Sequence, residues 1–235
     1  MLQRRYNLKM IASFKHNFVF LKTMKTAGTS IELALGPLCG PGDIISPISA
    51  SHDIRRFADS GVFARHFASP EVQKHYMKRL RKGNRKLLSA MLRDKSFDRL
   101  RAHSRPLRVK KWVGTFWDSA YRFTVDRHPY EKAVSLAAMN HRDLDTTVFL
   151  DRRYTGHQWY LEGGKLIVDR VMMYDRLSSD FAQVLADLGM PNIELPRSRH
   201  ADRDRSPARE QLTAAQRAFI YEQCAPEFEL FGWDR

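Results

Sequence analysis

The chain has 235 residues, of which 43% are apolar, as expected for a globular protein that buries a core. No stretch approaches the roughly 20 apolar residues of a membrane-spanning helix, and the polar, basic N-terminus shows no secretory signal. Cys39 and Cys224 are too few for a disulfide framework and fit no metal-ligand spacing. We therefore expect a protein of the reducing cytoplasm, with no integral membrane segment and no metal site.

The charge balance points to an anionic partner. Lysine and arginine number 40 against 26 aspartate and glutamate residues, so the formal net charge is +14. A charge this far from zero favours association with an anion, which could be nucleic acid, a membrane surface, a nucleotide or an acidic glycan. Composition alone does not distinguish between these four kinds of partner.

The first half of the chain begins with a strand and a helix. A short apolar run at 18–21 predicts a buried strand, and a helix follows at 30–35, ended by Gly36-Pro37. Strong helix formers with few breakers then predict one long helix over 71–92.

The second half repeats the alternation. A strand at 121–125 leads into a helix that starts at Pro129, and further helices are predicted at 181–188 and behind a capping box at Thr213. Strands alternating with helices predict an α/β fold with a central parallel sheet flanked by helices. No boundary signal divides the chain, so we expect a single domain over residues 1–235.

Residues 62–111 are interpreted as a basic, mostly helical insertion within that domain. Between Lys74 and Lys111 the sequence has fifteen Lys and Arg residues but only two acids, Asp94 and Asp98. Because the signs do not alternate, mutual repulsion would weaken a helix that had no anionic partner. We expect this segment to border an acceptor site and to favour an acidic acceptor.

The segment 22–30, Lys-Thr-Met-Lys-Thr-Ala-Gly-Thr-Ser, lies between the predicted strand and helix, where α/β proteins bind ligands. A helix N-terminus presents free N–H groups and a positive dipole end, which suit a phosphate. Gly28 allows close backbone approach, Lys25 adds a point charge, and hydroxyl groups follow at Thr26, Thr29 and Ser30. The alternative is a plain helix start capped by Thr29 or Ser30. The segment is not a Walker A loop, because no Gly precedes the Lys, so ordinary ATP binding is disfavoured.

A second anion-binding pattern follows about one hundred residues later. Arg127 stands at the end of the second predicted strand, where its fork can hold a phosphate with two hydrogen bonds. Pro129 sets the helix start, and Ser135 falls about two turns into that helix. The alternative is an arginine that pairs with Asp126 or Glu131 beside an ordinary helical serine.

Together these motifs resemble the sulfotransferases that use 3′-phosphoadenosine 5′-phosphosulfate (PAPS), most closely their carbohydrate branch, Golgi-type and bacterial. The resemblance implies a P-loop-like domain in which Lys25, Thr26, Ala27, Gly28, Thr29 and Ser30 hold the 5′-phosphosulfate. It implies that Lys25 touches the bridging oxygen of the leaving group and that Arg127 and Ser135 bind the 3′-phosphate. His128 departs from the Asn or Asp common after this arginine. The resemblance also predicts sulfuryl transfer from PAPS to a carbohydrate hydroxyl.

Such a reaction needs a general base, and a histidine is suited to that task near neutral pH. Among nine histidines, His103 is the preferred candidate, because related sequences place a histidine before a stretch like Val113-Gly114. His66 is the second candidate, and a carboxylate stays open as the base.

Two other classes of function are weighed against the sulfotransferase. A different P-loop transferase, such as a small-molecule kinase, shares the α/β plan but needs the missing Gly-Lys-Thr string. A nucleic-acid-binding protein would account for the positive charge, yet no helix-turn-helix, zinc-finger or RNA-recognition pattern is present, so no nucleic-acid partner is expected. The sequence names neither the acceptor nor the oligomeric state.

Overall fold

The computed structural model describes residues 10–65, 69–94, 106–196 and 206–235. A five-stranded sheet has the spatial order β3-β1-β2-β4-β7, and a separate two-stranded hairpin pairs β5 with β6. The strands are β1 (Met10–Ser13), β2 (Phe18–Leu21), β3 (Ile44–Ile45), β4 (Tyr121–Asp126), β5 (Leu161–Glu162), β6 (Lys165–Leu166) and β7 (Arg170–Met173).

Four of the five strands of the main sheet run in one direction. Strand β4 pairs in parallel with both β2 and β7, whereas β1 is antiparallel to its neighbours β2 and β3. The connection from β1 to β2 is too short for a crossover, which needs a dozen or more residues, so this pair must be antiparallel. The α/β fold with a helix-flanked sheet is confirmed, and β1 is the strand that departs from a wholly parallel arrangement.

Helices cover both faces of the sheet. On one face, Ile31 and Phe181 belong to a buried cluster with Phe20 and Phe123 of the central strands. On the other face, Val109, Trp117 and Trp159 pack with Val19 and Leu21. The helices are α1 (Gly28–Leu35), α2 (Ala50–Ser60), α3 (Pro70–Arg81), α4 (Arg85–Arg93), α5 (Pro106–Val113), α6 (Phe116–Ser119), α7 (Pro129–Asn140), α8 (Leu177–Asp187), α9 (Ala214–Gln223) and α10 (Ala225–Phe231).

The single helix expected over 71–92 is wrong: it is a pair of helices, α3 and α4. Gly83 has a positive φ of 60°, which ends the first helix, and Asn84 caps the second by accepting a hydrogen bond from Leu87 N at 3.0 Å. The reversal lets the apolar faces of both helices meet, so that Leu80 and Leu88 are buried in one cluster.

Other local predictions hold. The strands at β2 and β4, the helix that starts at Pro129 and the capping box between Thr213 and Gln216 are all present. The sequence pattern does not indicate the remaining strands of the main sheet, β1, β3 and β7. They have two to four residues each, too few to show a period of two.

Within the described ranges, no helix has both the length and the apolar character that crossing a bilayer requires. The same residues contain no group of three or more His, Cys, Asp and Glu side chains arranged to hold a metal ion.

Candidate active site

The two motifs predicted to bind anions follow the carboxyl ends of neighbouring parallel strands, β2 and β4. Leu21, the last residue of β2, pairs with Thr124 near the end of the parallel strand β4. The Thr23 hydroxyl donates to Val125 O, and the Thr124 hydroxyl donates to Leu21 O at 2.6 Å. These two bonds tie the start of the 22–30 loop to the strand that carries Arg127.

The loop enters helix α1 through left-handed backbone. Lys25 and Ala27 have positive φ angles of 62° and 58°, and Ala27 occupies the N-cap position without a side-chain cap. Thr29 and Ser30 lie inside the helix rather than at its cap, so the alternative of a plain Thr or Ser cap is wrong. Loops with such left-handed residues, followed by a helix N-terminus, direct successive N–H groups toward one point, which is the geometry of an anion site.

Lys22 is a residue of this loop to which the sequence pattern assigns no role. It is buried, and its Nζ donates to Thr29 Oγ1 and to Glu32 Oε2, both at 2.7 Å. A Cβ atom at Gly28 would stand 2.4 Å from Lys22 Cγ. Gly28 is therefore needed for the passage of this side chain, in addition to the expected approach of a phosphate. The sequence does contain a signal for such a role, because a second lysine, Lys22, stands three residues before Lys25.

The hydroxyl groups of the loop have different surroundings. Thr26 is buried, and its hydroxyl bonds to Thr23 Oγ1 at 2.9 Å and donates to Thr23 O at 3.2 Å. Thr29 accepts from Lys22, and Ser30 is nearly buried in the first turn of α1. The Thr26 hydroxyl thus stabilises the shape of the loop through its bonds to Thr23. Its role in binding the donor stays a prediction.

Arg127 lies beyond the end of β4, between two other groups. Its Nε donates to Glu131 Oε2 at 2.6 Å, and its guanidinium carbon stands 4.0 Å from the centre of the Tyr174 ring. Tyr174 follows β7, whose last residue, Met173, pairs with Asp126. The terminal nitrogens of Arg127 have no hydrogen-bonding partner among the residues that the structure describes. Arg127 is therefore held by Glu131 at Nε and by the Tyr174 ring against the flat face of its guanidinium. Its two terminal nitrogens are available to bind an anion. Ser135 is buried on α7.

A buried network of ion pairs is formed by Asp126, the residue before Arg127 in the chain, with Lys132 and Glu227. Lys132 Nζ lies 2.6 Å from Asp126 Oδ1 and 3.1 Å from Glu227 Oε1, and all three side chains are at most 1% exposed. The Tyr160 hydroxyl donates to Asp126 Oδ2 at 2.5 Å. A Cβ at Gly156 would stand 2.6 Å from that same oxygen, so only glycine fits there.

Burial and the ion pairs of this network shift the pKa values of its three members. Burial raises the pKa of Asp126, and the neighbouring Glu227 carboxylate adds to the effect against the attraction of Lys132. Burial also acts to raise the pKa of Glu227, but Lys132, His157 and the Gly156 N–H together hold it below its ordinary value. The two carboxylates raise the pKa of Lys132 despite its burial. Lys132 is therefore a permanent cation and Glu227 a carboxylate at neutral pH.

Helices α3 and α4 expose a cationic surface, called here the basic hairpin. A cavity of about 370 Å³ on it is lined by Arg85, Lys86, Ser89 and Arg93. Arg93 Nη1 donates to Ser89 Oγ at 3.1 Å. The exposed cations of the hairpin are Lys74, Lys78, Arg81, Lys82, Arg85, Lys86 and Arg93.

The two histidines preferred as the general base, His103 and His66, lie outside the described residues. Their role stays a prediction.

Comparison with known proteins gives a distant structural likeness. No family model matches the chain, and no curated protein does. A solved sulfotransferase from Alicyclobacillus acidocaldarius is similar over 93% of this chain and 96% of its own, at 17% sequence identity and a TM-score of 0.37. What this chain does is therefore inferred from its own residues.

Proposed function

We propose that this chain is a sulfotransferase that moves a sulfuryl group from PAPS to a hydroxyl group of a carbohydrate. The observation that carries the proposal is the joining of the 22–30 loop to the strand end that bears Arg127, through the Thr23 to Val125 hydrogen bond. PAPS carries anionic groups at the 3′ and 5′ positions of its ribose, and the two candidate anion sites follow neighbouring parallel strands, β2 and β4.

Each part of the site has a task in this reaction. The acceptor oxygen attacks sulfur, the bond from sulfur to the bridging oxygen breaks, and 3′-phosphoadenosine 5′-phosphate (PAP) leaves with the electron pair. Lys25 and the N–H groups that begin α1 stabilise charge that develops on the leaving phosphate, where a preorganised electrostatic contact is most effective. Lys22 stays paired with Glu32 and supports the shape of the loop.

Arg127 and Ser135 are assigned to the 3′-phosphate. Glu131 and Tyr174 orient the guanidinium, leaving its terminal nitrogens for two charge-assisted hydrogen bonds. Lys132 is paired with Asp126 and Glu227, so its task is to hold β4, α7 and α10 together rather than to bind the phosphate.

The finer parts of the proposal concern acceptor, domain and compartment. The basic hairpin favours an anionic glycan acceptor, since seven exposed cations face solvent there. We propose that residues 1–235 form one domain and that the protein works in a reducing compartment, which suits the unpaired Cys39 and Cys224.

Calorimetry with PAP, beside ATP and a DNA duplex, tests the donor class. The proposal expects PAP to bind, ATP to bind at least about 100-fold more weakly, and labelled sulfate to pass from PAPS to chondroitin or desulfated heparin. ATP binding with phosphate transfer would indicate a kinase instead. Salt-dependent DNA binding without PAP binding would indicate a nucleic-acid-binding protein.

A further inference from the structure

A histidine and a buried carboxylate form a dyad beside the candidate active site. His157 Nδ1 lies 2.9 Å from Glu227 Oε2, and the carboxylate is fully buried whereas the imidazole is 29% exposed. The other oxygen, Oε1, accepts from Gly156 N at 2.6 Å and from Lys132 Nζ at 3.1 Å. Glu227 is thus held rigidly on its inner side and presents one oxygen to the imidazole.

This arrangement fixes which ring nitrogen carries the proton. A carboxylate at Nδ1 requires the Nδ1–H tautomer, which leaves the lone pair on Nε2. Among the described residues, Nε2 of His157 has no hydrogen-bonding partner. A neutral imidazole with an open Nε2 and an anchored Nδ1 is the arrangement of a general base.

The dyad also lies at the end of the sheet where Arg127 follows strand β4. The Gly156 backbone presses against Asp126, the last residue of β4, and the next residue in the chain is Arg127. Met24 of the 22–30 loop packs on a cluster that includes Tyr154, three residues before His157, and Phe228, the residue after Glu227. Gly156, the neighbour of His157 in the chain, is therefore fixed against the end of the strand that precedes Arg127.

We propose that His157 is the general base that takes the proton of the acceptor hydroxyl, with Glu227 as its positioning residue. This assignment rests on the proposed sulfotransferase function. As the acceptor oxygen bonds to sulfur and the bridging bond breaks, the hydroxyl proton passes to His157 Nε2, and Glu227 stabilises the imidazolium that forms. PAP carries away the electron pair of the broken bond.

Charged and titratable groups of several elements surround the dyad. They are Glu227 on α10, Cys224 at the junction of α9 and α10, Lys132 on α7, Asp126 on β4 and Tyr160. Lys132 bridges the two carboxylates, and among the residues that the structure describes Glu227 is the hydrogen-bonding partner of the imidazole.

The test compares His157→Asn with His141→Asn. The amide introduced by His157→Asn can still donate to Glu227, so the fold is kept, but no group replaces Nε2. His141 is an exposed histidine at the end of α7 with a positive φ of 52°, which Asn tolerates. PAP release from PAPS is measured with chondroitin, desulfated heparin and water as acceptors, and PAP affinity is measured by calorimetry.

We expect His157→Asn to lower kcat by about 100-fold or more, a typical contribution of a positioned base, with PAP affinity unchanged. If His157 is the base, the wild-type rate should fall in acid and the residual rate of His157→Asn should not, whereas His141→Asn should behave as the wild type. A variant with wild-type kcat, or one that keeps the acidic fall, would overturn the assignment alone. A wild type that neither binds PAP nor releases it from PAPS would overturn the proposed function, and the assignment with it.

Discussion

The side chain of Lys22 runs across Gly28, with its Cγ atom 2.4 Å from where a Cβ at position 28 would stand. The contact involves the inner carbons of the lysine rather than its mobile end. Its Nζ is bound to Thr29 and Glu32, so the side chain has little freedom to move aside. Position 28 therefore couples the shape of the 22–30 loop to the buried ion pair of Lys22 and Glu32.

Gly28→Ala should displace Lys22 and lower the free energy of unfolding by about 1–3 kcal/mol, the usual cost of overpacking. Urea denaturation measures this. Gly42→Ala is the control, because a Cβ there meets nothing within 4 Å. In a Lys22→Ala background the Gly28→Ala change should cost much less, since the clashing carbons are gone. Equal costs in both backgrounds would contradict the contact.

Lys25→Asn should lower turnover by about 100-fold or more while PAP binding falls much less, because the role proposed for this lysine is to stabilise charge that develops in the transition state. Asn is chosen because it tolerates the left-handed backbone at this position. Steady-state kinetics at saturating PAPS provide the measurement, with exposed Lys165→Asn as the control. Near wild-type turnover would remove Lys25 from the reaction.

Arg127→Ala should weaken PAP binding by about 2–5 kcal/mol, the range for truncating one partner of a hydrogen-bonded charge pair. Binding of adenosine 5′-phosphosulfate, which lacks the 3′-phosphate, should change little. Calorimetry with both ligands decides, and Arg122→Ala, whose arginine pairs with Asp169 near the opposite end of β4, is the control. Equal losses for the two ligands would indicate a structural role.

Lys132→Met should destabilise the protein by about 3–5 kcal/mol at pH 7, because it leaves Asp126 and Glu227 buried without a cation. Both carboxylates would then have folded-state pKa values above their unfolded values, so the variant should recover stability as the pH falls through them. The wild type behaves oppositely at Glu227, whose lowered pKa contributes stability that is lost in acid. Denaturation at pH 7 and pH 5 should show the gap between the two proteins narrowing, and a gap that widened would contradict this account.

Replacing Arg81, Lys82, Arg85 and Lys86 with Gln should weaken the apparent affinity for an anionic glycan and flatten its dependence on salt. Exposed charges are screened over about 8–10 Å at physiological ionic strength, so the wild-type affinity should fall steeply as salt rises. Kinetics with chondroitin across a salt series measure this. Gln at the exposed Arg55, Lys165, Arg176 and Arg209 removes the same charge elsewhere. If both variants changed the salt slope equally, the basic hairpin would be an ordinary solvated surface.

The sequence by itself determined the parts of the molecule that local chemistry controls. The 22–30 segment and Arg127 each follow a strand that can be predicted from its own residues. The capping box between Thr213 and Gln216 depends on only four consecutive residues. Left-handed backbone at Lys25 and Ala27 has no such signal, because neither residue type favours it.

Tertiary structure alone decided which distant residues meet. His157 and Glu227 are seventy positions apart, and Lys132 reaches both Glu227 and Asp126 only because β4, α7 and α10 converge behind the sheet edge. The break at Gly83 has a local signal in Gly83 and the helix cap Asn84, and the reversal then buries Leu80 and Leu88 in one cluster. Local propensity specifies which segments are strands and loops, whereas burial and ion pairing between remote segments specify the site that those segments build.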